Sequence, residues 1–462
     1  MPSKGVQAYT YISAPGGVEI DISVPKQEET RSAQRKWETG NFEVDAGKIK
    51  WPLKRTGRFT FKVRRKDPQA VITEQWMDVD PISGDIASAS TFEDTMLETR
   101  SIIDKGLAVS YGVYEAGPGQ AGLPNRHQAY MVVTQEWNNW QGIVAPAGSE
   151  QEKKKFACFV LPSPHDVGMN SMDTMNAILK HAGVASAKVL TSVMPALQRG
   201  QDSIAKVIGG LADVTVSKIA PDIIASFSGQ RIATRPSSRT PLPDKLYFQH
   251  GPIPGMAYDQ FLNDLVAFLV KNPSEIAVVH VRWDGVPAEC ARPDDAELQN
   301  YLNAALTLSN GAVKSGNMND LRNATIQELR SQKKRLLYVV NEGVLSTYDD
   351  IANATVDGRS MISAFERVLT SQNQEGKNMT VAQCQATPTN IKDVIYYSVV
   401  SASVSTMALM ATKALCGHLL LPWLRDNVMS RCKKDQLLVI MDDFIDGSDT
   451  DVAVELSKKR LA

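Results

Sequence analysis

The chain has 462 residues, a formal net charge of -1 and 43% hydrophobic residues, enough apolar material for a large core and for more than one average domain. With no basic excess there is little to release counterions from a phosphate backbone, which argues against nucleic acid as the main partner. The six histidines and five cysteines are scattered, with no Cys-x-x-Cys pair and no His-Glu-x-x-His run, so the sequence offers no zinc site. Cys158 and Cys416 lie inside apolar runs and read as reduced, buried thiols. The N-terminus, MPSKGVQAYTYISAPGG, lacks an apolar signal core, which predicts an intracellular, cytoplasmic protein.

Residues 1–150 carry short alternating segments rich in Val, Ile, Thr, Tyr and Phe, at 8–13, 18–24, 59–63, 108–114 and 129–135, broken by Gly, Pro and Asp. That texture predicts an antiparallel β-sandwich or jelly-roll-like domain. In EWNNWQG, Trp137 and Trp140 read as a pair closing the sandwich core or, less simply, as a stacking surface for sugar or a lipid headgroup. The charged run SEQEKKK, 149–155, reads as a solvated linker, and the domain boundary is placed there.

Beyond it, apolar strands alternate with helical patterns. Strands are predicted at 156–161, at 223–227 or 230–234, and at 245–249, 276–282, 335–340, 379–383 and 436–443. Helices are predicted at 257–271, 294–308, 319–332, 361–370 and 449–459. Phe261, Leu262, Leu265, Phe268 and Leu269 keep the three-four spacing of a helix packed on a sheet. Six to eight strands separated by helices over about 300 residues predict a (β/α) barrel for 156–462, with a doubly wound sheet as the alternative. The segment 184–222 reads as a largely helical insertion. The uncharged stretch 394–412 is near spanning length, but its serines and threonines dilute it; a buried barrel helix is expected, with interfacial membrane contact as the other reading.

The chemistry gathers where apolar runs end. In FACFVLPSPHDVG the run stops at Pro162 and Pro164, and His165 and Asp166 follow. LYFQHGPIPG puts His250 at the end of another run, and LLVIMDDFIDG ends five apolar residues with Asp442 and Asp443. In a parallel α/β fold these strand ends share one rim. Two histidines, each within reach of a carboxylate, make a general base and a general acid, because a carboxylate fixes the ring tautomer and raises the pKa of its partner. On 276–282, His280 and Arg282 fall on one face and either line the pocket or, for the Arg, bond loop carbonyls.

Taken in order, LPSPHDVG, GQRIATR, YFQHG, FLNDLVAFLVKNPSEIAVVHV and VIMDDF resemble the X-domain barrel of phosphatidylinositol-specific phospholipase C and its PLC-like phosphodiesterase relatives, over about 156–460. That resemblance implies a distorted (β/α)8-type TIM barrel and two-step phosphodiester cleavage. It implies His165 as general base oriented by Asp443, with Asp442 as the fallback, and His250 as general acid supported by Asp166. It implies Arg231 or Arg235 on the phosphate, where a fixed bidentate cation would meet the charge gathering on the non-bridging oxygens. The calcium-dependent branch places Glu and Asp on that strand and neither is here, which implies an activity without metal or other cofactor.

The substrate so implied is a phospholipid headgroup or a related small phosphodiester, with peripheral membrane contact. Ala233 or Thr234 stands where the family's second strand carries an Asp, which motivates the first of two other readings; the second follows because fold and acid-base apparatus do not fix the substrate. One is a lipid- or glycan-binding protein built on a catalytically altered barrel. The other is a barrel recruited to a different acid-base reaction in small-molecule biosynthesis.

Overall fold

The computed structural model describes residues 5–49, 55–67, 69–90, 100–114, 126–165, 167–169, 243, 245–250, 253–281, 293–340, 343–355, 358–386 and 408–462. Within them the chain is mixed α/β, with several separate sheets.

Among the described residues the first half builds ten strands: β1 (Gly5–Ile12), β2 (Val18–Val24), β3 (Gln27–Ser32), β4 (Trp37–Glu43), β5 (Gly57–Arg65), β6 (Ala70–Val79), β7 (Ile86–Ala89), β8 (Arg100–Asp104), β9 (Leu107–Tyr114) and β10 (His127–Gln135). They form two five-stranded sheets, ordered β4-β1-β10-β9-β8 and β3-β2-β5-β6-β7. Period-two alternation turns Val6, Ala8 and Ile12 of one sheet, and Ile20, Ile22, Phe59 and Phe61 of the other, into a single shared core. The β8–β9 hairpin turns on Lys105 and Gly106, both at positive φ as a tight two-residue turn requires. The expected sandwich is therefore present, but not wholly antiparallel: β1 and β10 run parallel. The two come from opposite ends of the segment, so no hairpin dictates their direction.

The second half follows with α1 (Trp140–Val144), β11 (Val160–Pro164), β12 (Tyr247–His250), β13 (Ile253–Ala257), α2 (Tyr258–Lys271), β14 (Ala277–Val281), α3 (Asp295–Thr307), β15 (Ser315–Gly316), α4 (Met318–Asn323), α5 (Ile326–Ser331), β16 (Leu336–Val340), β17 (Val344–Ser346), α6 (Arg359–Val368), β18 (Met379–Gln383), α7 (Ala408–Arg431), β19 (Leu437–Asp442) and α8 (Gly447–Leu461). β11-β19-β18-β17 is a parallel sheet, β14-β16-β15 a second, and β12-β13 an antiparallel ribbon.

The two parallel sheets share one interior. Leu161, Leu337, Val339, Val381, Leu437 and Val439 meet there, with Val278 packed against them. Alternate residues face outward onto helices: Val160, Ala382, Leu438 and Ile440 onto α6, α7 and α8, and Val279 and Val281 onto α2 and α3. On α2 the buried stripe is Tyr258, Leu262, Val266 and Leu269, each aliphatic member worth roughly 1.5–3 kcal/mol of burial.

No ladder among the described residues joins these sheets into a closed barrel, so the (β/α)8 expectation narrows to mixed α/β. One physical reason lies in GPIPG. After His250 the chain turns straight back, His250 pairing with Ile253, so a strand follows a strand where a barrel would put a helix.

Other expectations shift as well. The strand expected at 156–161 is a 3-10 turn at Phe156–Cys158 followed by β11, which runs through Pro162 and Pro164. Among the described residues β11 pairs by ladder with β19 alone, and Ser457 of α8 bonds both the N–H and the C=O of Val160. The helix expected at 319–332 is two, because Thr325 starts a second helix with its own capping box to Glu328. The run 149–155 is anchored and not freely solvated: buried Glu152 pairs with Arg330 at 3.0 Å.

Trp137 and Trp140 serve neither the sandwich core nor a stacking surface. Trp140 packs edge-on against Phe159 in the core of the second half, and the Trp137 indole N–H donates to Asp451 of α8 at 2.8 Å. The outer face of the first sheet is covered by helices of the second half, with Tyr9 against His418 and the Tyr11 hydroxyl donating to Asp451. The four described cysteines are buried thiols outside any disulfide. No helix among the described residues is long and apolar enough to cross a membrane. The strand alternatives 223–227 and 230–234, the insertion 184–222 and most of 394–412 lie outside the described residues.

Candidate functional site

β11 and β19, the first and last strands of the second half, lie side by side in parallel, Val160 opposite Leu438 and Pro164 opposite Asp442. The ladder reaches one step further, the His165 N–H donating to the Asp442 carbonyl at 2.7 Å. Alternation then decides where each polar residue goes. Leu161 faces the shared interior, so Ser163 and His165 follow it on that side. Val439 and Met441 face the interior too, and Asp443 continues their row. Asp442 continues the row of Leu438 and Ile440 and turns outward beneath α7 and α8.

The result is a His-Asp pair at the carboxyl end of the sheet. His165 Nδ1 lies 2.9 Å from Asp443 Oδ1, with side-chain exposures of 10% and 17%. A carboxylate accepts, so Nδ1 carries the proton and Nε2 is the nitrogen turned away from Asp443. Of the two carboxyls that end β19, Asp443 is the partner of His165 and Asp442 is not.

Asp442 enters a different arrangement. It is 1% exposed, and its Oδ2 lies 3.6 Å from Lys413 Nζ, which also meets Asp446 at 3.6 Å and Asp449 at 2.7 Å. Burial pushes the Asp442 carboxyl up to about 8, Lys413 pulls against that shift, and Asp449 and Asp443 add to it. Burial likewise raises Asp449. Burial alone would pull Lys413 down, but the carboxylates of Asp446, Asp449 and Asp442 reverse this and hold its ammonium well above the ordinary value.

The loop after His165 is fixed from the other side. Gly168 lies against the Phe248 ring so closely that an added Cβ would fall 1.9 Å from Cγ. Phe248 sits two residues before His250 on β12 and is itself packed against Tyr258 and Phe261. The main chain of His250 thus ends a strand adjoining the His165 loop; its side chain is outside the described residues, as are Asp166, Arg231, Arg235 and Arg282.

His280 is half-buried on the face of β14 that also presents Val278, the face turned toward the shared interior. It belongs to the second parallel sheet, not to the one carrying His165.

Sequence reading missed several polar groups here. Gln383 and Gln385 at the end of β18 are buried and bonded to each other, and Gln383 donates to Ser346 Oγ at 2.8 Å. Lys413 was visible as a lone cation entering an apolar helix, and Asp446 with Asp449 as the capping box that starts α8. Neither signal says that the three would meet.

No family model matches the chain, and no curated protein matches it. Among solved structures, a histidine-to-tyrosine variant of the phosphatidylinositol-specific phospholipase C from Staphylococcus aureus is similar at 12% identity and a TM-score of 0.34, over 66% of this chain and 93% of that one. A likeness of this size fixes neither fold nor activity.

Proposed function

We propose that the chain cleaves a phosphodiester, in a phospholipid headgroup or a related small molecule, by paired acid-base catalysis. His165 takes the proton of the attacking hydroxyl through Nε2, with Asp443 holding the ring and balancing the imidazolium that forms. His250 returns a proton to the leaving alkoxide, supported by Asp166. Arg231 or Arg235 meets the charge on the non-bridging oxygens.

The observation that carries this reading is the hydrogen bond of 2.9 Å between His165 and Asp443 at the carboxyl end of two adjacent parallel strands. The packing of Gly168 on Phe248 supports it, because it brings the loop of one histidine against the strand of the other. In the same reading residues 1–150 and 156–462 are two domains, and the substrate is met at a membrane surface without a metal.

The test is turnover of phosphatidylinositol vesicles and of a soluble glycerophosphodiester, with and without EDTA. Positioned acid-base groups contribute about 10²–10⁴-fold, so His165→Ala and His250→Ala should each lose at least a hundredfold while folding normally. Retention of rate within about tenfold by both variants would remove the mechanism.

A further inference from the structure

Behind the His165–Asp443 pair, on the helix side of the same strand ends, Lys413, Asp442, Asp446 and Asp449 are buried together, none more than 6% exposed. One cation among three carboxyls is an expensive core, since well-packed apolar side chains of similar volume are often neutral or stabilising in place of buried charge. Burial raises both Asp442 and Asp449, and Lys413 pulls against the rise in each, so the cation offsets part of that cost.

The group is rigidly tied. Asp446 Oδ1 accepts from the Ser448 N–H at 2.7 Å and the Ser448 hydroxyl at 2.6 Å, and Asp449 Oδ2 accepts from the Asp446 N–H at 3.0 Å as well as from Lys413. These bonds join α7 to the first turn of α8.

Asp442 is the member that adjoins the pair along the chain, and it holds both partners of the pair by their main chains. Its Oδ1 accepts from the Asp443 N–H at 2.8 Å, and its carbonyl accepts from the His165 N–H at 2.7 Å. We propose that Asp442, held by Lys413, Asp446 and Asp449, is a positioning residue that clamps the main chains of His165 and Asp443 and so keeps the imidazole against its carboxylate. Its importance for turnover rests on the phosphodiesterase reading above; the clamp itself does not.

The test is spectroscopic, on the full chain labelled with ¹⁵N-histidine. The Nδ1–H proton of His165 should give a downfield, slowly exchanging signal, assigned by its disappearance in His165→Ala and in Asp443→Ala. Asp442→Ala removes the acceptor for Asp443 and should abolish or broaden that signal. Asp442→Asn keeps an amide oxygen in place and resembles a protonated carboxyl, so it should retain it. This contrast separates a clamp from a mere loss of buried charge, since both variants remove the charge.

A wild-type signal in Asp442→Ala would overturn the proposal. If that variant does not fold, main-chain exchange in the wild type decides: the His165 and Asp443 amides should exchange at least about a hundredfold slower than unstructured ones, and exchange within about tenfold would overturn the clamp. Should Asp442→Ala leave the signal unchanged while His165→Ala abolishes turnover, the clamp fails alone. Should the signal vanish in Asp442→Ala while His165→Ala retains turnover, the phosphodiesterase reading fails alone.

Discussion

His165 Nδ1 meets Asp443 Oδ1 at 2.9 Å although 278 residues separate them in the chain. The contact exists because β11 and β19 pair in parallel and because both residues fall on the interior row of their strands. Asp443→Asn preserves the shape but gives His165 an amide that cannot balance an imidazolium. Turnover should fall by about 10²-fold or more with near-UV circular dichroism unchanged, and a loss of less than about threefold would remove Asp443 from the mechanism.

Gly168 tests whether the adjoining loop must sit where it does. A Cβ at 168 would meet the Phe248 ring at 1.9 Å, so Gly168→Ala must push the loop of His165 away from β12. Overpacking of this kind costs roughly 1–3 kcal/mol, and here part of it should appear as lost turnover. Phe248→Gly in the same chain removes Cγ, Cδ2 and also the Cβ that would lie 2.3 Å away, and should restore much of the activity that Gly168→Ala loses. Wild-type activity of Gly168→Ala would show that the loop position does not matter.

His127 gives a pH signature far from the site. It is fully buried in the sandwich, Nε2 sits 2.9 Å from the Gly84 carbonyl, and burial pulls the imidazole down to about 4. In the unfolded chain it takes a proton near 6.5, so between those values only the unfolded state binds it. Stability present above pH 6.5 is therefore lost as pH falls toward 4, by about 3 kcal/mol at most. His127→Gln keeps a donor for Gly84 but does not titrate. Urea midpoints at pH 7 and pH 4.5 should show a smaller acid loss in the variant, and parallel losses in both proteins would assign the acid sensitivity elsewhere.

Much of this arrangement is legible in the residues. Val18–Val24 and Met379–Gln383 carry patterns that return the observed strands residue for residue, because each is bounded by turn-forming or polar neighbours. The positions of His165 and Asp443 at strand ends were readable for the same reason, as apolar runs that stop abruptly. The extra strand β13 was not, since IPGMA has no alternation and its strand character comes from pairing back onto β12. Nor could the sequence divide Asp442 from Asp443. Which of two adjacent carboxyls faces the interior depends on the strand's register against β11, a tertiary fact. The tryptophans were misjudged because a seam between two sheet systems leaves no local mark.

That seam supplies a last prediction. Asp451 on α8 accepts from the Tyr11 hydroxyl of β1 at 3.0 Å and from the Trp137 indole at 2.8 Å, so one carboxylate ties the sandwich and the segment after it to a helix of the second half. Asp451→Ala leaves both donors without this acceptor in a largely covered region. Each lost partner costs about 1–3 kcal/mol, which predicts a total near 2–6 kcal/mol, whereas Tyr11→Phe, which removes one donor cleanly, should cost about 1 kcal/mol. Because Tyr11 no longer has a partner once Asp451 is gone, the two changes should be less than additive. Urea unfolding of the four proteins measures all three quantities. An Asp451→Ala variant within 0.5 kcal/mol of wild type, an order-of-magnitude threshold for an inconsequential surface change, would mean that the tie does not hold the two halves together.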